Sequence, residues 1–266
     1  DLSAFADSIK SEYCEILVNS PMSRQTSFKV GGNADIIAFP KNEEAVLSVI
    51  RNAEEAGISY TVMGNGSNLL IKDCGIEGIV IKTTGMNPDI VIDGNVIRCS
   101  AGTSLAKLCT AALENSLTGL EFAYGIPGTV GGAIYMNAGA YGGEIKDVIR
   151  SVRHITPEST IETFSKEKLD LGYRKSFYTQ NAGYIITGAE FRLKKGEKTE
   201  IKAKMDDFLG RRKDKQPLEF PSAGSYFKRP EGHFAGKLIE DCHLKGYTVG
   251  GAQKLVTWCF CAACPV

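Results

Sequence analysis

The chain has 266 residues, with 31 basic and 31 acidic side chains, so it carries no net charge when its histidines are neutral. This balance argues against a nucleic-acid or anionic membrane partner. No apolar run approaches the ~20 residues that span a bilayer, and the first residue is Asp1, so we expect the true N-terminus to be missing or processed. We expect two or three domains and a monomeric, cytoplasmic protein.

The first predicted helix lies between Pro40 and Gly57, with Asn42 as its cap. Its apolar face consists of Val46, Val49, Ile50 and Ala53. Strands are predicted at 58–63 and 78–82, followed by a hairpin around Asp93-Gly94-Asn95.

Further elements alternate along the rest of the chain. A helix with Leu105, Leu108 and Ala112 on one face is capped near Thr103 or Ser104. Strands are predicted at 149–155 and 184–193, and a charged helix at 199–213 buries Ile201, Met205, Phe208 and Leu209. A last helix is marked by Ala235, Leu238, Ile239 and Cys242 and ends before Gly246. Mixed strands and helices indicate an α+β fold.

The most unusual segment is the glycine-rich GIPGTVGGAIYMNAGAYG between Gly125 and Gly142. Ordering so much glycine is entropically costly, and we do not expect such a stretch to fill a core. Bare backbone donors, together with Tyr135, Tyr141 and the amide of Asn137, suit a flat, heteroatom-rich ring such as a flavin. The alternative is a tight glycine crossing between packed strands.

A second glycine-containing loop, Gly64-Asn65-Gly66-Ser67-Asn68, follows a predicted strand. Successive backbone N–H groups in such a turn can bind a pyrophosphate, although turns of this composition are common. The loop matches neither GxGxxG nor the P-loop pattern. With the longer segment it predicts one site for a pyrophosphate and one for a ring.

Two polar segments carry candidate catalytic groups. Arg174 stands between aromatic residues and can bind a carboxylate or stabilise negative charge, or it can be a surface arginine covering an aromatic ring. Ser225 lies among small residues, where a turn role is the alternative, and no histidine–aspartate pair near it indicates a hydrolase.

Histidine and cysteine patterns add no further site. His154, His233 and His243 lie outside the glycine-rich segments, so no histidyl attachment point for a flavin is predicted. Five scattered cysteines are expected to be free and mostly buried, as in a reducing compartment: Cys14, Cys74, Cys99, Cys109 and Cys242. The spacing of Cys259, Cys261 and Cys264 lacks paired C-x-x-C geometry, so no metal site is predicted.

Taken together, these segments resemble the UDP-N-acetylenolpyruvoylglucosamine reductases, in particular their shorter, Gram-positive type. The matching pieces are TSFKVGG at 26–32, GNGSNLLI at 64–71, the segment at 125–142, YRKSFY at 173–178, KQP at 215–217, SAGSYFKRP at 222–230 and GKLIEDCHLKGYTVGGAQ at 236–253. They cover nearly the whole chain in order.

The resemblance implies a two-lobed FAD-binding domain of the vanillyl-alcohol-oxidase (PCMH) type, followed by an α+β substrate domain that is incomplete here. The expected boundaries are 1–82 and 83–195 for the two lobes, 196–253 for the substrate domain and 254–266 for a non-matching tail. The residues expected to bind FAD are Gly64, Asn65, Gly66, Ser67, Asn68, Gly125, Pro127, Gly128, Gly131, Gly132, Asn137 and Gly139.

The implied activity is reduction of UDP-N-acetylglucosamine enolpyruvate to UDP-N-acetylmuramate, a peptidoglycan precursor, by NADPH through FAD. By this resemblance Arg174 stabilises the developing enolate and Ser225 donates a proton to C2. Lys215 holds the UDP phosphates, as its chemistry as a point-charge phosphate ligand also suggests. Tyr173, Lys228 and Arg229 are further expected substrate-binding residues.

After Gln253 the sequence departs from the family pattern, and no acidic residue follows Asp241. The resemblance places a glutamate needed for the enolate step beyond this point. We interpret the tail as a frameshift or mis-assembled end. The alternative function is therefore a flavin-binding but catalytically impaired chain; a flavin oxidase acting on an alcohol is disfavoured because Arg174, Lys215 and Ser225 match together.

Overall fold

The structure, a computed structural model, describes residues 2–216, 220–225, 227–228, 230–254 and 260–263. The chain forms two compact units. Unit one comprises Asp1–Ser20, Ala34–Asn65 and Glu77–Leu209. Unit two comprises Pro21–Asn33, Gly66–Ile76 and Gly210–Val266. The expected three-domain division stays a prediction, and unit one extends beyond residue 195.

The first sheet contains four strands in the order β1-β2-β4-β3, with β3 parallel to β4. Its elements are α1 (Leu2–Ile9), β1 (Cys14–Pro21), β2 (Asn33–Pro40), α2 (Glu43–Glu55), β3 (Tyr60–Met63) and β4 (Ile76–Lys82). A core of aliphatic side chains lies between α2 and these strands.

The predicted first helix is confirmed as α2. Asn42 Oδ1 accepts a hydrogen bond from the Ala45 N–H at 2.8 Å, which satisfies one of the free donors at the helix start. Its buried residues are the four predicted ones, Val46, Val49, Ile50 and Ala53, together with Ala45. Gly57 follows the helix with φ +66°, where glycine is favoured. The two predicted strands are confirmed as β3 and β4, with starts shifted by two residues.

The second sheet has five strands in the order β11-β10-β12-β6-β5. These are β5 (Val91–Asp93), β6 (Val96–Ser100), β10 (Ile149–Ile155), β11 (Ile161–Ser165) and β12 (Ile185–Arg192). The predicted hairpin is confirmed, since Val91 pairs with Arg98 and Asp93 with Val96. The strands predicted at 149–155 and 184–193 are confirmed as β10 and β12.

Helices and short strands cover this sheet and enclose the larger core. They are α3 (Leu105–Glu114), β7 (Leu117–Thr118), α4 (Val130–Tyr135), β8 (Gly139–Ala140), β9 (Gly143–Glu144), α5 (Ile145–Val148), α6 (Phe177–Gln180), β13 (Lys194–Lys195) and α7 (Lys198–Lys215). Ser104, one of the two predicted caps of α3, accepts from the Lys107 N–H at 3.3 Å. In α7, Ile201 and Met205 are buried, while Phe208 and Leu209 are half-buried.

The expectation that the glycine-rich segment does not fill a core was wrong for part of it. Helix α4 was not predicted, yet Val130, Ala133 and Ile134 belong to the larger core. The helix forms here because tertiary contacts override the low helix propensity of glycine. Its first N–H groups donate outward, Val130 to Thr103 O and Gly131 to Ala101 O, both at 2.9 Å.

Unit two contains a four-stranded sheet in the order β14-β17-β16-β15. Its elements are β14 (Ser222–Ser225), α8 (Ala235–Asp241), β15 (Thr248–Val249), β16 (Ala252–Lys254) and β17 (Phe260–Ala263). The predicted last helix is confirmed as α8, but its buried face was predicted too wide. Ile239 is buried, Leu238 is 41 % exposed, and Cys242 lies exposed at the C-cap.

The five scattered cysteines are free, as predicted, and three of them are buried: Cys14, Cys99 and Cys109. Cys74 and Cys242 are exposed. Within the described ranges no helix is long and apolar enough to cross a membrane. The same residues contain no cluster of three or more potential metal ligands, and the side chains of the cysteines at 259, 261 and 264 lie outside the description.

Candidate functional site

In unit one, the start of the short glycine loop lies against the glycine-rich segment. Asn65 Nδ2 donates a hydrogen bond to Pro127 O at 3.4 Å. A Cβ atom on Gly64 would lie 2.3 Å from Thr129 Oγ1, too close for any side chain. Thr129 in turn caps α4 by accepting from the Gly132 N–H at 3.5 Å. Two segments predicted to bind one cofactor are therefore adjacent.

The loop from Asn65 to Asn68 offers backbone donors. Among the hydrogen bonds of the described residues, none has a backbone N–H of these four positions as its donor. Gly66 has φ +67°, and turns of this kind present N–H groups to an anion. Asn65 belongs to unit one, while Gly66, Ser67 and Asn68 belong to unit two. The backbone donors of Gly66, Ser67 and Asn68, within unit two, fit a pyrophosphate.

The middle of the glycine-rich segment approaches the chain before α3. Gly128 O accepts from the Leu105 N–H at 3.0 Å, and Gly131 donates to Ala101. A Cβ on Gly131 would lie 3.0 Å from Ala101 Cβ. Gly125 lies in the turn before this stretch. Close packing thus accounts for part of the glycine content, and the cofactor-binding role of the segment stays a prediction.

The second half of the segment lines a small cavity of about 200 Å³. The cavity is formed by Asn137, Gly139, Ala140, Tyr141, Gly142, Gly143, Glu144, Tyr173 and Arg174. Strands β8 and β9 form its hairpin wall. Tyr141 stacks on Phe208 with ring centroids 4.7 Å apart, and Tyr135 is 44 % exposed. Glycines and an arginine therefore line one cavity.

Arg174 lies at the tip of a tight turn. The Gly172 N–H donates to Lys175 O at 3.0 Å, and the Lys175 N–H donates to Gly172 O at 3.2 Å. Arg174 has φ +53°, a strained conformation for a residue other than glycine. Its guanidinium carbon lies 5.7 Å from the centroid of the Tyr173 ring. The backbone of the turn thus projects Arg174 towards the cavity that it lines.

A carboxylate accompanies the arginine. Glu144 accepts from Lys146 Nζ at 2.8 Å and from Asn137 Nδ2 at 3.0 Å. These bonds, led by that from Lys146, and the positive charge of Arg174 hold the pKa of Glu144 below its usual value against the opposing effect of burial. Glu144 also raises the pKa of Lys146. The cavity therefore contains fixed charges of both signs.

The remaining predicted site residues belong to unit two. Ser225 is the last residue of β14, Lys215 ends α7 and Lys228 is exposed. Arg229 lies outside the described residues. The start of β14 is held by residues of the same unit. The Ser222 N–H donates to Ser27 O at 3.1 Å, and the Ser27 N–H donates to Gly66 O at 3.3 Å. The roles predicted for these residues stay predictions.

Sequence reasoning missed three supporting residues: Thr129, Glu144 and Ser176. Ser176 is fully buried and donates from Oγ to Tyr135 O at 2.7 Å, which fastens the end of the arginine turn. The serine stands three residues before Thr179, and the two form a capping box at α6. Thr129 directly before an apolar stretch was a comparable capping signal. No local pattern indicated Glu144.

The family match and the fold identify the chain as a flavoprotein of the PCMH type. Residues 34–165 match the family model of an FAD binding domain. A solved structure of a Physcomitrella patens BBE-like 1 variant shares the fold, with TM-score 0.53 and 15% identity over 73% of this chain and 44% of that chain. A solvent-stable cholesterol oxidase gives TM-score 0.53 and 14% identity over 68% and 38% of the two chains.

More specific matches follow for the whole chain. Residues 216–255 match the C-terminal domain of UDP-N-acetylenolpyruvoylglucosamine reductase. The reductase of Clostridium perfringens strain SM101 is 51% identical over 238 residues, 90% of this chain and 78% of the relative. The crystal structure of the Thermus caldophilus reductase aligns with TM-score 0.79 and 33% identity over 95% of this chain and 89% of that chain.

The chain belongs to the UDP-N-acetylenolpyruvoylglucosamine reductase family. The resemblance drawn from the sequence motifs is thereby confirmed, together with the α+β flavoprotein fold. The match to the C-terminal family model ends at residue 255, close to the predicted point of departure after Gln253.

Proposed function

We propose that this chain reduces UDP-N-acetylglucosamine enolpyruvate to UDP-N-acetylmuramate with NADPH as the hydride donor and FAD as the carrier. The observation that carries the proposal is the arginine turn, which presents Arg174 to a cavity walled by the glycine-rich segment. A carboxylate substrate needs such a cation, and a bare backbone allows a flat cofactor to approach.

FAD, when bound, supplies hydride transfer between NADPH and the enolpyruvyl group. The loop from Gly64 to Asn68 would hold its pyrophosphate through backbone N–H groups, and the chain from Gly125 to Gly139 would line its ring. The 2.3 Å approach of a Gly64 Cβ to Thr129 Oγ1 explains why a side chain is excluded where these segments meet.

Arg174 binds the substrate carboxylate and offsets the negative charge that develops at C2 when C3 receives the hydride. A guanidinium suits this role because its planar donors match a carboxylate. The hydrogen bonds across the turn hold the backbone of Arg174 in place before substrate arrives, and a preorganised charge is effective in transition-state stabilisation.

Ser225 then delivers a proton to C2. Its hydroxyl is a weak acid at neutral pH. A hydrogen-bonded partner or a water molecule must therefore replace the proton that the hydroxyl gives up. Lys215, Lys228 and Arg229 bind the diphosphate as cations, and Tyr173 contacts the substrate beside Arg174. We also propose that the enzyme is a monomer in the cytoplasm. Light scattering of the purified protein tests the monomeric state.

Steady-state assays of the purified protein test the reaction. We expect NADPH oxidation that requires the enolpyruvyl substrate, and a product heavier than that substrate by two hydrogen atoms. NADPH oxidation that is indifferent to the substrate but consumes oxygen with sugar alcohols would instead identify an alcohol oxidase and contradict the proposal.

The second candidate function is flavin binding with impaired turnover. It is favoured by one observation, the departure of the sequence from the family pattern after Gln253, close to where the match to the C-terminal family model ends. Loss of one acid–base or electrostatic group typically lowers a rate by about 10²–10⁴-fold. A yellow, monodisperse protein without substrate-dependent NADPH oxidation would support this candidate over the first.

A further inference from the structure

The side chain of Asn137, a residue predicted to bind the cofactor, makes all its hydrogen bonds to other residues of the protein. The residue is 2 % exposed and has φ +40°. Its two N–H donors are both engaged, at 3.0 Å from Glu144 Oε2 and at 2.9 Å from Gly172 O. Its carbonyl oxygen accepts from the Lys146 N–H at 2.9 Å. The side chain has no donor left for a flavin.

The bond to Gly172 fixes the base of the arginine turn. Gly172 O thereby accepts two hydrogen bonds, one from Asn137 and one from the Lys175 N–H across the turn. On the other side of the turn Ser176 is bonded to Tyr135 O. The strained turn that carries Arg174 is thus held on both sides by the chain at 135–137.

The bond to Glu144 fixes a carboxylate near the same arginine. Glu144 lines the cavity with Arg174 and is held by Asn137 and Lys146. Its negative charge interacts with the guanidinium of Arg174. The carboxylate therefore presents a held negative charge to the cavity that Arg174 also lines.

We propose that Asn137 and Glu144 are positioning residues for Arg174, with Asn137 fixing the turn and Glu144 orienting the guanidinium towards the substrate carboxylate. This inference rests on the proposed function, because it assumes that Arg174 binds that carboxylate. It assigns Asn137 to the arginine side of the site instead of the flavin.

Two variants separate the contribution of Asn137 from that of Glu144. Asn137→Asp keeps the acceptor for Lys146 and a side chain that tolerates positive φ, but removes both donors. Glu144→Gln keeps the shape and removes the charge. The matched controls are Asn95→Asp, whose amide donates to Leu193 O at 3.0 Å, and Glu190→Gln, whose carboxylate binds Arg98 and Arg150.

The measurement is calorimetric binding of two ligands to each flavin-loaded protein. One ligand is the enolpyruvyl substrate; the other is UDP-N-acetylglucosamine, which lacks the carboxylate. We expect both site variants to lose about tenfold in affinity for the first ligand, the size of one charge-assisted hydrogen bond. Affinity for the second ligand, flavin content and both control variants should remain unchanged.

Several outcomes would overturn the inference. Unchanged preference for the carboxylate ligand in both variants would exclude a positioning role, and loss of flavin from Asn137→Asp would identify a cofactor contact. Should that variant fail to fold, Glu144→Gln decides alone. A wild-type protein that does not prefer the carboxylate ligand would instead contradict the proposed function itself.

Discussion

At the scale of single residues, three residues of the candidate site that are not glycines have positive φ: Asn137, Tyr141 and Arg174. Asn137 and Arg174 have φ of +40° and +53°, and such values cost free energy unless surrounding contacts impose them. Here two hydrogen bonds hold the turn against the glycine-rich segment, one donated by Asn137 to Gly172 O and one accepted by Tyr135 O from Ser176. The identity of Arg174 as a site residue followed from the motif, but its conformation depends on residues that are distant in sequence.

Replacement of Arg174 by lysine tests its role. Arg174→Lys keeps the charge but loses the planar donor pair, so we expect substrate-dependent NADPH oxidation to fall by about 10²–10³-fold. Flavin content should not change. The matched control is Arg150→Lys, which alters a surface ion pair with Glu190; a similar loss in both variants would contradict a specific role for Arg174.

His154 makes stability depend on pH. It is fully buried, with Nδ1 2.9 Å from the Tyr178 hydroxyl, and it packs against the rings of Phe164 and Tyr184. Burial lowers its pKa, and Glu162 on the neighbouring strand only partly opposes this. The unfolded chain takes up this proton at about pH 6.5, so the stabilising contribution is complete above that pH and is lost as pH falls towards the folded pKa.

We expect His154→Phe to flatten the decrease in unfolding free energy between neutral and mildly acidic pH. Urea unfolding at several pH values measures this, with His243→Gln at an exposed position as the control. If the unfolding free energy of His154→Phe decreases at acidic pH as much as that of the wild type, other groups cause the pH dependence.

At the scale of secondary-structure elements, local signals predicted what local physics determines. The cap at Asn42 and the Gly94 turn of the hairpin are encoded within a few residues. Helix α4 was missed because its glycines disfavour a helix, and contacts with Thr103 and Ala101 create it instead. Strand β14 was missed for a similar reason, since its pairing partner β17 lies far along the chain.

The side-chain cap of α2 contributes a measurable amount to the free energy of unfolding. Asn42→Ala removes the acceptor for the Ala45 N–H, and we expect a loss of about 1 kcal/mol of unfolding free energy. Asn42→Asp retains an acceptor and should remain close to wild type. Equal destabilisation by both substitutions in chemical unfolding would mean that the side-chain cap is not the cause.

Two glycines in helices allow a matched comparison. A Cβ on Gly131 would lie 3.0 Å from Ala101 Cβ, whereas one on Gly210 in α7 would meet open space. We expect Gly131→Ala to lower stability and flavin content, and Gly210→Ala to add up to about 1 kcal/mol of stability. Unaltered flavin content in a destabilised Gly131→Ala protein would separate this glycine from the cofactor site.

At the scale of the whole molecule, the family and its cofactor were predictable because the motifs cover most of the chain in order. Which segments form each of the two units was not predictable, since unit two consists of three separate stretches of sequence. Local periodicity carries no information about that assembly. The hydrogen bonds of Asn137 were equally beyond sequence reasoning, because they join residues up to 35 positions apart.

Thiol reactivity reports on this packing across the molecule. Burial raises the pKa of Cys14 to about 11 and that of Cys99 to about 12, so their thiolates are scarce at neutral pH. We expect Cys74→Ser and Cys242→Ser each to remove one fast-reacting thiol in the native protein. Cys109→Ser, at a buried position, should remove none; a lost fast-reacting thiol there would contradict the described core.

We propose that this chain transfers hydride from NADPH through FAD to an enolpyruvyl sugar nucleotide. The most direct test is the flavin absorbance of the purified, flavin-loaded protein under anaerobic conditions. We expect NADPH to bleach the absorbance, and stoichiometric UDP-N-acetylglucosamine enolpyruvate to restore it. Absorbance that stays bleached with this substrate, yet returns when oxygen is admitted, would contradict the claim.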